Sequence, residues 1–81
     1  MLRTIYGGAS AVGRDFGISS REMQVITHVV ASYRNKDLGR KLGISEQTVK
    51  RHLTNIFDKL GVFNRLDLIL FAIDHGWINK D

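Results

Sequence analysis

The sequence predicts an all-α fold of four helices behind a flexible N-terminal leader. Three observations carry that prediction. Four successive segments place apolar residues at helical spacing, serine or asparagine caps stand before three of them, and glycine punctuates the joints. No apolar run approaches the length needed to span a bilayer.

Residues 1–17 hold Gly7, Gly8, Gly13 and Gly17 among small residues and show no sustained periodicity, the composition of a leader or linker. They lack the positive start and long apolar core of a signal peptide. The folded domain is expected over 18–79. Ser19 and Glu22 have the spacing of a capping box, and Ile18 and Met23 are placed to close a hydrophobic staple around it. Met23, Ile26, Val29, Val30 and Tyr33 keep helical spacing, so the first helix is expected to run to about Ser32. Its β-branched residues weaken intrinsic propensity, so packing must hold it.

The second helix is expected over 35–42, with Leu38 and Leu42 one turn apart and Gly39 beside them. A mid-helix glycine costs about 1 kcal/mol relative to alanine, which makes sense where another helix crosses close by. Gly43 ends this helix, Ile44 turns toward the core and Ser45 caps the next helix. Leu42-Gly43-Ile44-Ser45 thus joins two short helices through a tight turn. That is the helix-turn-helix arrangement, whose second helix enters a major groove.

In the third helix Val49, Leu53, Ile56, Phe57 and Leu60 form one apolar stripe, and Gly61 ends it. Gln47, Lys50, Arg51, Thr54 and Asn55 occupy the opposite face, which suits an anionic surface. The fourth helix, about 65–75, is capped by Asn64 with Asp67 in its first turn. Leu66, Leu68, Ile69, Leu70, Phe71, Ala72 and Ile73 make it apolar nearly all round. Leu68 and Ala72 are assigned to the core, leaving Leu66, Leu70 and Ile73 as an interface stripe. The alternative is that Trp77, Ile78 or the leader folds back over that stripe.

Composition narrows the function. An 81-residue chain supports one small domain. Without cysteine it offers no disulfide or thiolate metal site, and His28, His52 and His75 are too far apart in sequence to form a helical metal pair. No carboxylate pair, nucleophile with a base or phosphate-cradling glycine loop marks an enzyme, and no cofactor is expected. From Arg34 to Lys59 seven basic residues stand against Asp37, Glu46 and Asp58, a balance equal to the net charge of +4 of the whole chain. Positive potential is concentrated in the central third, as in nucleic-acid modules.

Three runs, Asn35-Lys36-Asp37-Leu38, then Leu42 through Leu53, then Ile56 through Arg65, resemble the LuxR-type DNA-binding domain of NarL and FixJ response regulators and of the stand-alone regulator GerE. The similarity spans about 18–76 without an obvious gap. It is specific, because Ser-Glu-x-Thr-Val-Lys-x-His-Leu and Lys-Leu-Gly-Val-x-Asn-Arg stand in order at the usual distance. The resemblance implies a four-helix domain whose third helix reads the major groove and whose fourth forms a two-fold dimer. By position, Gln47, Lys50, Arg51 and Thr54 match the family's base-facing residues. Asn35, Lys36, Thr48, His52 and Asn55 match places that meet phosphates or buttress the helix. Arg34 departs from the serine or threonine that usually caps the second helix, losing a cap while adding a cation able to pair with phosphate. Ser32 and Gly39 replace a usual glycine and alanine.

The expected partners are double-stranded DNA carrying an inverted repeat, a second copy of the chain, a receiver domain and RNA polymerase, in a bacterial cytoplasm and with no membrane. The leader fits either a fragment of a two-domain regulator or a stand-alone domain. Two rivals remain. A sigma-factor-like promoter-contacting domain shares the helix-turn-helix but not the Asn-Lys-Asp-Leu and Lys-Leu-Gly-Val-x-Asn-Arg segments. A protein-interaction module would use the apolar fourth helix and show little affinity for DNA even in low salt.

Overall fold

The computed structural model describes residues 16–77, so the expected leader before Phe16 and the domain's last residues after Trp77 lie outside the described residues. Within them the chain is all-α: α1 Ser20–Val30, α2 Asn35–Leu42, α3 Glu46–Leu60 and α4 Arg65–Asp74, with no strand among the described residues. Each helix contributes to one core. Val25, Ile26 and Val29 of α1, Leu38 of α2, Val49 and Ile56 of α3, and Leu68 and Ala72 of α4 are fully buried. Burial of a Val, Leu or Ile side chain contributes about 1.5–3 kcal/mol, against a few tenths lost to β-branching in a helix. Packing therefore outweighs the weak propensity of α1.

The caps form as their residues dictate. Ser19 Oγ accepts from the Glu22 amide at 3.1 Å while Glu22 Oε1 accepts from the Ser19 amide at 2.9 Å, closing the capping box. Ile18 and Met23 on either side are both buried. Ser45 Oγ accepts from the Thr48 amide at 3.0 Å, and Asn64 Oδ1 from the Asp67 amide at 2.9 Å. Arg34, at the N-cap of α2, makes no side-chain cap hydrogen bond.

The first helix ends earlier than its periodicity suggests. It stops at Val30 because Ser32 adopts φ +74°, in the left-handed region. The Ser32 amide donates to the Val29 carbonyl at 2.9 Å and the Tyr33 amide to the His28 carbonyl at 3.1 Å, the paired bonds of a Schellman turn. Tyr33, although in register with the apolar face, thus lies beyond the helix. The pressure on Gly39 also differs from expectation. A Cβ there would stand 2.7 Å from the Ile44 carbonyl oxygen, so the close neighbour is the turn leading into α3.

Long-range polar contacts tie the helices together. Lys59 Nζ of α3 donates to Glu22 Oε1 at 2.7 Å and to the Gly17 carbonyl at 2.9 Å. Burial pushes the Glu22 carboxyl up, but the hydrogen bonds from Lys59 and Ser19 and the charge of Lys59 more than offset this and hold it below its ordinary pKa. Arg21 Nη1 donates to the Leu42 carbonyl at 3.2 Å, bracing α1 against the end of α2. Trp77 folds into a cluster with Phe16, Phe71 and His75, where the Phe71 and His75 rings stack at 3.9 Å. That cluster leaves Leu66 63% and Leu70 56% exposed, so Trp77 does not cover these two residues of the second stripe of α4, while its third member, Ile73, is half-buried.

Candidate nucleic-acid interface

The outward face of α3 follows from how its inward face is held. Val49, Leu53, Ile56 and Leu60 are buried and Phe57 is half-buried against them. With 3.6 residues per turn, this turns positions 47, 50, 51 and 54 away from the core. Gln47, Lys50, Arg51 and Thr54 are accordingly all exposed. Thr54 Oγ1 donates to the Lys50 carbonyl at 3.1 Å, which uses its proton and leaves it acceptor capacity. Among the described residues neither Lys50 nor Arg51 has an ion-pair partner. Their charges are free to meet an anion.

Thr48, His52 and Asn55 form a second row beside the first, at i, i+4 and i+7. Asn55 is exposed, while Thr48 and His52 are half-buried. Thr48 is occupied at the cap, its Oγ1 standing 2.9 Å from Ser45 Oγ. Lys36 is exposed at the start of α2 and Asn35 beside it is half-buried. Both line an open groove of about 690 Å³ together with Tyr33, Arg34, Glu46 and Arg65. The residues singled out from the sequence thus fall into two groups, the rows on α3 and the first turn of α2.

Two cations of the central third are engaged elsewhere. Lys59 is bound to Glu22, and Lys41 Nζ lies 5.2 Å from the centroid of the Tyr33 ring. The basic surface is therefore narrower than the charge count implies. Arg65 was not legible as part of this region. Its Nη1 donates to Asn35 Oδ1 at 2.8 Å and its Nη2 to the Tyr33 carbonyl, anchoring the start of α4 at the start of α2. Burial pushes the guanidinium pKa down, although arginine starts so high that it stays charged. Its local signals were its place directly after an asparagine cap and at the end of the Lys-Leu-Gly-Val-x-Asn-Arg segment, and neither says anything of a partner thirty residues away.

Helices α1 to α3 and most of α4 fall within the segment that a family model matches. Residues 17–72 match the model of the bacterial regulatory proteins of the luxR family, GerE. The chain belongs to the luxR family of bacterial regulatory proteins. Among its luxR-family relatives, the transcriptional regulatory protein DegU of Brevibacillus brevis is 36% identical over 61 residues, covering 75% of this chain and 26% of DegU. MctR of Rhizobium johnstonii, also named a transcriptional regulatory protein, is 35% identical over 63 residues, 78% of this chain and 29% of MctR. LiaR of Bacillus subtilis, similarly named, is 30% identical over 79 residues, 98% of this chain and 37% of LiaR. The chain thus spans between about a quarter and somewhat over a third of these curated relatives. No helix among the described residues is long and apolar enough to cross a membrane.

Proposed function

We propose that this chain is the sequence-specific, double-stranded-DNA-binding part of a bacterial transcriptional regulator, with α3 in the major groove. The observation that carries the proposal is the exposed row Gln47, Lys50, Arg51 and Thr54 on a helix whose other face is locked into the core. Lys50 and Arg51 suit the O6 and N7 of guanine, and Gln47 the N6 and N7 of adenine. Asn35, Lys36, Thr48, His52 and Asn55 serve the phosphates or support the helix. Arg34 adds a further phosphate partner. Lysine and arginine at phosphates release counterions, so affinity falls steeply with salt.

One recognition helix offers few discriminating contacts. A dimer through Leu66, Leu70 and Ile73 of α4 makes the second engagement effectively intramolecular and calls for an inverted repeat with half-sites about one helical turn apart. The exposure of Leu66 and Leu70 supports this reading. The greater length of the relatives leaves room for a receiver domain in a full-length regulator, with RNA polymerase as a later partner and the cytoplasm as its place. The domain boundary at residue 18 and a preceding linker belong to the same reading.

The test is a gel-shift titration at fixed salt on a duplex selected from a random pool by the parent chain. Lys50→Ala and Arg51→Ala should each weaken binding by about tenfold or more while the helical circular dichroism stays intact. Unchanged affinity in both variants overturns the assignment of the α3 row. Leu70→Glu should sediment as a monomer and lose affinity for the inverted repeat; a parent-like mass and affinity would rule out the α4 dimer.

A further inference from the structure

The contact between Arg65 and Asn35 carries a consequence for the proposed DNA surface. A guanidinium has five donors and no acceptor, so the Asn35 atom 2.8 Å from Arg65 Nη1 must be the carboxamide oxygen. That assignment leaves the Asn35 Nδ2 group as the free end of the amide. Among the described residues it has no acceptor, and Asn35 lines the open groove shared with Arg34 and Lys36. Arg65 cannot rotate away cheaply, because its second nitrogen is held by the Tyr33 carbonyl, immediately after the left-handed Ser32. Its fork is planar, so two bonds fix its orientation.

We infer that Arg65 is a positioning residue for DNA binding: it orients the Asn35 amide so that Nδ2 is presented as a neutral donor to a backbone phosphate at the first turn of α2. Asn35 touches the phosphate, and Arg65 acts through it. The inference rests on the DNA reading given above. It adds a link between α4 and the phosphate-facing end of α2, since Arg65 is the first residue of α4 and Asn35 the first of α2.

A double-mutant cycle on duplex affinity tests this, using the full chain and short random-sequence duplexes as probe. Arg65→Lys keeps the charge but loses the planar fork. Asn35→Ala should weaken binding by about tenfold, the scale of a lost hydrogen bond to a charged group. Arg65→Lys should weaken it by a few-fold without changing the slope of log affinity against log salt. In the Asn35→Ala background Arg65→Lys should have no further effect. Additive losses would overturn the inference, as would a reduced salt slope, which marks a direct arginine–phosphate contact. If Arg65→Lys lowers helical circular dichroism, Asn35→Ala carries the decision, being neutral and without any side-chain donor; parent-like affinity with an intact spectrum would overturn the role of Asn35. Failure of the parent chain to bind any duplex defeats the DNA reading itself. Parent binding with an additive cycle defeats the positioning role alone.

Discussion

The turn that ends α1 and the turn that ends α2 are the same backbone device built from different residues. After α2, Gly43 takes φ +70° and the Ile44 amide bonds back to the Gly39 carbonyl at 2.9 Å. After α1, Ser32 takes φ +74° and the Tyr33 amide bonds back to the His28 carbonyl. The next residues diverge as well. Ser45 caps α3 with its hydroxyl, whereas Arg34 leaves the start of α2 without a side-chain cap. One joint satisfies every local rule; the other departs from two of them within three residues. The departing joint borders the groove that holds Arg34, Asn35, Lys36 and Arg65. Local departures of this kind gather at functional sites, where surrounding structure must compensate. Here the compensation is visible, since Arg65 grips the Tyr33 carbonyl and the Asn35 side chain.

Breaking the well-made joint should have the largest effect. Gly39→Val forces a Cβ against the Ile44 carbonyl, a backbone atom that cannot swing aside. Urea unfolding should show a loss of about 1–3 kcal/mol, with the midpoint moving at constant slope. A parent-like midpoint would mean that the joint relaxes freely. Ser45→Ala removes the cap of α3 and should cost about 1 kcal/mol in the same measurement.

Repairing the other joint should move stability in the opposite direction. Ser32→Gly relieves the left-handed strain and should add about 0.5–1 kcal/mol after the greater entropy of unfolded glycine is counted. Duplex affinity should be unchanged, because glycine keeps the same backbone path into Tyr33, Arg34 and Asn35; a loss of affinity would show that the Ser32 hydroxyl, which lines the same groove, or the strain itself serves binding. Arg34→Ser should gain a few tenths to about 1 kcal/mol as a cap forms. It should also weaken duplex binding and reduce the salt slope by about one, if Arg34 meets a phosphate.

Features that depend on neighbours within four residues were readable in the chain. The Ser19–Glu22 box, the Ser45 and Asn64 caps, the inward stripe of α3 and the burial of Leu68 and Ala72 against exposed Leu66 and Leu70 in α4 appear as their spacing indicates, while Ile73 of the outward stripe is half-buried. The exposed row Gln47, Lys50, Arg51 and Thr54 was legible for the same reason, because burying one side of a helix determines the other. The end of α1 was not. Apolar periodicity continues through Tyr33, and a serine does not announce a left-handed turn; the one pointer was that the resembling family usually has glycine at this position.

By itself the sequence determined four helices, three of their caps, the turn between α2 and α3, and which face of α3 meets solvent. All of these rest on hydrogen bonds and periodicities that close within a turn or two. Only the tertiary structure decided that Lys59 pairs with Glu22 rather than joining the basic surface, that Arg21 holds the Leu42 carbonyl, and that Arg65 grips Asn35. Those partners lie 37, 21 and 30 residues apart in the chain. A long charged side chain can reach many partners of opposite polarity, and the shared core selects among them by bringing one helix end against another.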